Sequence, residues 1–177
     1  MNITVYLGSS PGNDPRFSAA VRELGAWIGN SGHTLVYGGA GLGLMKELAD
    51  STLQNGGRVI GVMPQFFVDA DRAHDALSEL IVTADMSARK AKMIALGDAF
   101  IAFPGGFGTL EEIAEVMSKV VLGQLAAPCI LYDLDGYYKG LREQLSHAVE
   151  TGLASKEALS RIRFVQSLDG IKAILAE

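Results

Sequence analysis

The chain has 177 residues, a length that fits one domain with a substantial core. Its 15 Lys and Arg against 20 Asp and Glu give a net charge of −5, which argues against a broad nucleic-acid-binding face but leaves room for one nucleotide in a local positive pocket. A single cysteine, Cys129, excludes a disulfide framework and a Cys-based zinc site, and the scattered His33, His74 and His147 cannot build an HExxH metal motif.

The opening MNITVYLGSS has no basic stretch of the signal-peptide kind, and the best apolar run, Val120 to Tyr132, is broken by Gly123, Gln124 and Pro128. A soluble cytoplasmic protein that touches neither membrane nor nucleic acid is expected. In chain order, Ile3–Leu7 reads as a strand, followed by the turn cluster Gly8 to Asn13 and a helix from about Pro15 to Asn30. Thr34–Tyr37 is a second strand ending in Gly38-Gly39-Ala40-Gly41, and Leu44–Asn55 is a helix stopped by Gly56-Gly57. Val59–Met63 is a third strand closed by Pro64. Gln65–Leu77 has poor periodicity and reads as a loop with a short helix. Leu80–Thr83 is a short strand, Asp85–Leu96 a helix and Ala99–Phe103 a strand. Leu110–Leu122 is a helix, Cys129–Tyr132 a strand and Tyr137–Glu150 a helix. Phe164–Gln166 is the last strand, before a helix over Asp169–Leu175.

The strands are short continuous apolar runs, as expected where helices cover both faces of a sheet. The alternation of strand and helix therefore predicts an α/β fold, a doubly wound parallel sheet in a single domain over 1–177. In such sheets ligands bind outside the carboxyl ends of the strands. Glycine makes up 21 residues of the chain, against about 7% in average proteins, and the excess clusters at those ends.

The strongest cluster is Pro104-Gly105-Gly106-Phe107-Gly108-Thr109-Leu110-Glu111-Glu112, between an apolar strand and a helix. Bare backbone N–H groups at a helix N-terminus make a natural phosphate site. Thr109 and Glu112 also have capping-box spacing, so a plain helix cap is the competing reading. The third glycine of a dinucleotide fingerprint is missing, and no Gly-Lys pair exists for a P-loop. Gly38 to Gly43 reads equally well as the floor of a nucleotide cleft or as close helix–strand packing. In the Asp85–Leu96 helix, Arg89 and Lys90 flank the stripe of Met86 and Met93, where cations need partners or a cleft to point into. The broad apolar arc Leu110, Ile113, Val116, Met117, Val120 and Val121 fits either a symmetric dimer contact or a buried helix. His74 reads as a surface residue of the irregular loop, and Cys129 as an inert buried residue.

PGGFGTLEE resembles the PGGxGTxxE signature of the LONELY GUY (LOG) family, often mislabelled as lysine decarboxylases. The resemblance extends over VYLGSSPG, YGGAGLGLM, VIGVMP, RKAKM and DGYY, and so over nearly the whole chain. It implies a Rossmann-like homodimer that hydrolyses the N-glycosidic bond of cytokinin riboside 5′-monophosphates, or of AMP, to free base and ribose 5-phosphate, with no cofactor and no metal. By position, Arg89 and Glu112 match the catalytic pair. Arg89 and Lys90, together with Gly105, Gly106, Phe107, Gly108, Thr109, Leu110, Glu111 and Glu112, match substrate-binding positions, as do Ser118 and Asp71. Ser87 stands where the family usually has a histidine. The alternative is a non-catalytic nucleotide-binding protein or a carrier of the molybdenum-cofactor kind on the same fold.

Overall fold

The computed structural model describes residues 1–176. Seven strands form one sheet: β1 (Asn2–Tyr6), β2 (Thr34–Tyr37), β3 (Arg58–Pro64), β4 (Glu79–Thr83), β5 (Ala99–Ala102), β6 (Cys129–Tyr132) and β7 (Ile162–Val165). Their spatial order is β4-β3-β2-β1-β5-β6-β7, and every neighbouring pair is parallel. This is the doubly wound α/β sheet that the strand–helix rhythm predicts.

The connecting helices are α1 (Pro15–Asn30), α2 (Gly43–Gln54), α3 (Gln65–Asp69), α4 (Met86–Leu96), α5 (Phe107–Val121), α6 (Lys139–Glu150), α7 (Lys156–Ser160) and α8 (Leu168–Leu175). Alternate strand residues feed two cores. Ile3, Val5, Leu35 and Tyr37 meet Val21, Leu24 and Ile28 of α1, Leu48 of α2 and Ile171 of α8. Tyr6, Val36, Val62 and Phe100 meet Met93 of α4 and Ile113, Val116 and Val120 of α5 on the other face. Both faces are dry, so the central strands read as unbroken apolar runs.

Local chemistry fixes the helix starts. Asp14 caps α1 ahead of Pro15 by accepting from the Arg16 N–H, and Asp85 caps α4 through the Ala88 N–H at 2.8 Å. Four expectations are corrected. Helix α5 begins at Phe107, not Leu110, with Gly106 as its N-cap; its glycine-rich first turn reads as loop by propensity, yet the Leu110 N–H closes it onto the Gly106 carbonyl at 3.1 Å. Helix α6 begins at Lys139 because the 3-10 turn at Leu134–Gly136, with Asp135 and Gly136 at positive φ, interrupts the chain ahead of it. Strand β7 lies at Ile162–Val165, where it pairs with β6. Helix α7, with Ser155 as its cap, was not expected, being too short for a periodic signal.

Candidate active site

The strand order reverses between β1 and β5, so the loops that leave them diverge and open a crevice at the carboxyl edge of the sheet. The loop after β1 carries Gly8, Ser9 and Ser10, and the loop after β5 runs into α5. A cavity of about 360 Å³ occupies the crevice. Arg89, Gly106, Gly108, Thr109, Glu111 and Glu112 are among its lining residues, together with Arg72 and a set of apolar side chains.

Ile113, Val116 and Val120 seat α5 on the sheet, and the same seating carries Glu112 into the floor of the crevice, 5% exposed. Met93 seats α4, and one turn earlier Arg89 enters the same floor, 7% exposed. The Arg89 guanidinium donates to Glu112 Oε1 at 2.7 Å and, through Nε, to the Val62 carbonyl at 3.0 Å. Its Nη2 lies where a Cβ on residue 38 would stand, so only glycine fits at Gly38. Burial pushes the Glu112 carboxyl above its ordinary pKa, while Arg89 pulls it back towards ionisation. A carboxylate held in a dry floor by one fixed cation can stabilise positive charge on a ligand above it.

The second element of the site is the N-terminus of α5. A Cβ on Gly106 or Gly108 would meet nothing within 4 Å, so these glycines bare the backbone towards open space and not for packing. The Thr109 hydroxyl is buried and has no hydrogen-bond partner. The capping-box reading of Thr109 and Glu112 is overturned: Thr109 sits in the third helical position, and the Glu112 carboxylate is held by Arg89. Free N–H groups, the helix dipole and an orphan hydroxyl together make an anion site. The neighbouring Lys90 is held by Glu111 at 2.6 Å and by Glu115 at 3.4 Å, and these carboxylates raise its pKa.

The DGYY segment braces this loop from behind. The Tyr137 hydroxyl donates to the Gly105 carbonyl at 2.6 Å, and that of Tyr138 to the Phe103 carbonyl at 2.8 Å. The buried Asp133 accepts from the Tyr138 N–H. The sequence carried these tyrosines only as part of a motif.

Not every expected residue reaches the crevice. Phe107 and Leu110 are exposed at its rim, Ser118 is exposed further along α5, and Asp71 is exposed at positive φ in the loop after α3. Arg72 lines the crevice from that loop instead. His74 is not a surface residue: it is 7% exposed and bonded to Asp50 at 2.8 Å. Cys129 is buried as expected, with its thiol pushed up to about 12.

A family model described as possible lysine decarboxylase matches residues 45–175. A cytokinin riboside 5′-monophosphate phosphoribohydrolase of Rhodococcoides fascians is 40% identical over 175 residues, covering 98% of this chain and 88% of its own. One of Arabidopsis thaliana is 40% identical over 156 residues, covering 88% of this chain and 73% of its own. Among solved structures, the molybdenum cofactor carrier protein of Chlamydomonas reinhardtii aligns with a TM-score of 0.72 at 24% identity, over 99% of this chain and 94% of its own. The molybdenum cofactor binding protein of Rippkaea orientalis aligns with 0.71 at 22%, over the same shares. At those identities the likeness is one of fold.

Proposed function

Because the chain belongs to the LOG family, that of the cytokinin riboside 5′-monophosphate phosphoribohydrolases, we propose that it hydrolyses the N-glycosidic bond of nucleoside 5′-monophosphates, AMP or cytokinin ribosides among them, releasing free base and ribose 5-phosphate. The observation that carries this reading is the buried Arg89–Glu112 pair beside an open helix N-terminus.

The 5′-phosphate rests on the α5 amides at Gly106 and Gly108, with the Thr109 hydroxyl as a further donor and Lys90 beside it. This sets the ribose over Glu112. As the C1′–N bond lengthens, positive charge develops on C1′ and the ring oxygen, as in glycoside hydrolysis. The Glu112 carboxylate stabilises that charge and accepts a proton from the attacking water, whose oxygen bonds to C1′. The base leaves with the electron pair of the broken bond and takes up a proton. Arg89 stays charged throughout, so it positions and ionises Glu112 and is not the proton donor.

The protein acts as a homodimer through the exposed apolar strip of α5, formed by Phe107, Leu110, Val121 and Leu122. Free base released from AMP and from adenosine tests the proposal. One charge-assisted hydrogen-bond set contributes roughly 1.5–3 kcal/mol, so AMP is expected to be cleaved at least about tenfold better. Equal kcat/KM for the two would show that the α5 terminus does not hold phosphate, and no release from either would end the hydrolase reading.

A further inference from the structure

Two tyrosine hydroxyls hold the loop between β5 and α5, and the peptides they hold differ. Tyr137 and Tyr138 follow the 3-10 turn at Leu134–Gly136. The Tyr137 ring meets Phe17 of α1 edge to face at 5.8 Å and Tyr138 at 5.1 Å, so two aromatic neighbours set where it stands. Its hydroxyl donates to the Gly105 carbonyl at 2.6 Å, and that of Tyr138 to the Phe103 carbonyl at 2.8 Å. The peptide after Phe103 leads into Pro104, which has no N–H and a φ locked by its ring. The peptide after Gly105 joins two glycines, and no Cβ on either side resists a flip of its plane.

In a trans peptide the carbonyl and the N–H point in opposite directions. A Gly105 carbonyl turned to Tyr137 therefore turns the Gly106 N–H away from Tyr137. Gly106 lines the cavity, whereas Gly105 and Tyr137 do not, so that N–H faces the cavity side. It has no acceptor among the described residues. The N–H groups of Phe107, Gly108 and Thr109 are different, because the helix itself sets their directions. A flip of the Gly105–Gly106 plane would withdraw the Gly106 donor and aim the Gly105 carbonyl at the anion in its place. The bond to Tyr137 opposes the flip, and a hydrogen bond at the carbonyl also polarises the N–H of the same peptide. The orphan Thr109 hydroxyl lies at the same spot, since a Cβ on Gly105 would collide with it.

We propose that Tyr137 is a positioning residue for the 5′-phosphate: by holding the Gly105 carbonyl it aims the Gly106 N–H into the anion site, and so supplies part of the preference for a phosphorylated substrate. This rests on the reading of the α5 N-terminus as the phosphate site. The test measures kcat/KM for AMP and adenosine, and calorimetric Kd for ribose 5-phosphate, on the wild-type protein, Tyr137→Phe and Tyr138→Phe. Tyr137 is 45% exposed and a phenyl keeps its ring contacts, so Tyr137→Phe is expected to melt close to wild type. It is expected to lower kcat/KM for AMP and to weaken ribose 5-phosphate by about tenfold each, the low end for one hydrogen bond to a charged group, while adenosine is cleaved as before. Tyr138→Phe removes a brace on the same loop whose peptide has no N–H to aim. It is expected to lower the melting temperature and to leave the AMP-to-adenosine ratio and the ribose 5-phosphate Kd unchanged. Equal losses for AMP and adenosine in Tyr137→Phe, no loss for either, or the same phosphate-specific loss in Tyr138→Phe overturns the proposal. If ribose 5-phosphate binds but neither AMP nor adenosine releases base, the hydrolase reading fails and the Kd values still decide the role of Tyr137. If neither ribose 5-phosphate nor AMP binds the wild type, the shared premise and this proposal fall together.

Discussion

At Glu112, burial and charge pairing act in opposite directions, and both effects can be measured. Glu112→Gln keeps the volume and leaves a carbonyl to accept from Arg89, but removes the negative charge. The preorganised charge interaction lost with it typically costs about 10²–10³ in kcat. The Arg89 charge is left uncompensated in a dry floor, and a bound phosphate offsets it. The expected variant is folded, binds AMP at least as tightly as wild type and is nearly inactive; turnover within about threefold of wild type would remove Glu112 from the chemistry. The raised pKa of Glu112 has a second consequence. The working form is the carboxylate, so activity is lost as pH falls through the raised value. The acid limb of kcat/KM is therefore expected above the ordinary carboxylate range, and a limb within that range would show that Arg89 outweighs burial. The linked stability runs the other way. Between the ordinary and raised values the folded state holds more protons than the unfolded one, so this group's contribution to stability declines as pH rises.

Helix α5 shows how far local sequence carries and where it stops. The apolar spacing of Ile113, Val116 and Val120 is legible, and it locates the buried face that aims Glu112. The helix start is not legible, because propensity does not favour helix over Phe107 to Thr109, a turn closed by the Leu110 N–H on the Gly106 carbonyl. The T-x-x-E spacing therefore leaves a helix cap open as a competing reading, whereas the tertiary pairing of Glu112 with Arg89, 23 residues apart in sequence, takes the carboxylate elsewhere. The same limit explains His74. Nothing local separates a surface histidine from one clamped to Asp50, 24 residues away, so a loop of poor periodicity gives no sign of the Ala73–Ala40 bridge that ties it to the loop after β2. The central strands were legible almost to the residue, since burial on both faces leaves an unbroken apolar run that needs no partner to be read, whereas β7, an edge strand only partly buried, is read two residues late.

For the molecule as a whole, the remaining question is what covers α5. The apolar arc read from the sequence divides into two faces. Ile113, Val116 and Val120 are spent on the core, with Val120 only 5% exposed. Leu110 at 42% and Val121 at 38% remain in water, joined from outside the arc by Phe107 at 96% and Leu122 at 67%, and Phe107, Leu110, the exposed Ala114 and Val121 fall on one stripe by helical spacing. An apolar stripe of this kind on a lone monomer is an association surface, and two-fold pairing of identical helices closes it without leaving a free end. The expected state is therefore a dimer at micromolar concentration by light scattering. Val121→Asp puts a charge in the stripe at a site already in water, so it is expected to shift the protein to monomer while leaving the melting temperature of the isolated fold close to that of the wild-type chain. Val120→Asp, one residue earlier, buries the same charge in the core and is expected to unfold the protein, because an unpaired charge there has no compensation. A wild-type protein that stays monomeric, or a Val121→Asp protein that stays dimeric, would assign the stripe to something other than self-association.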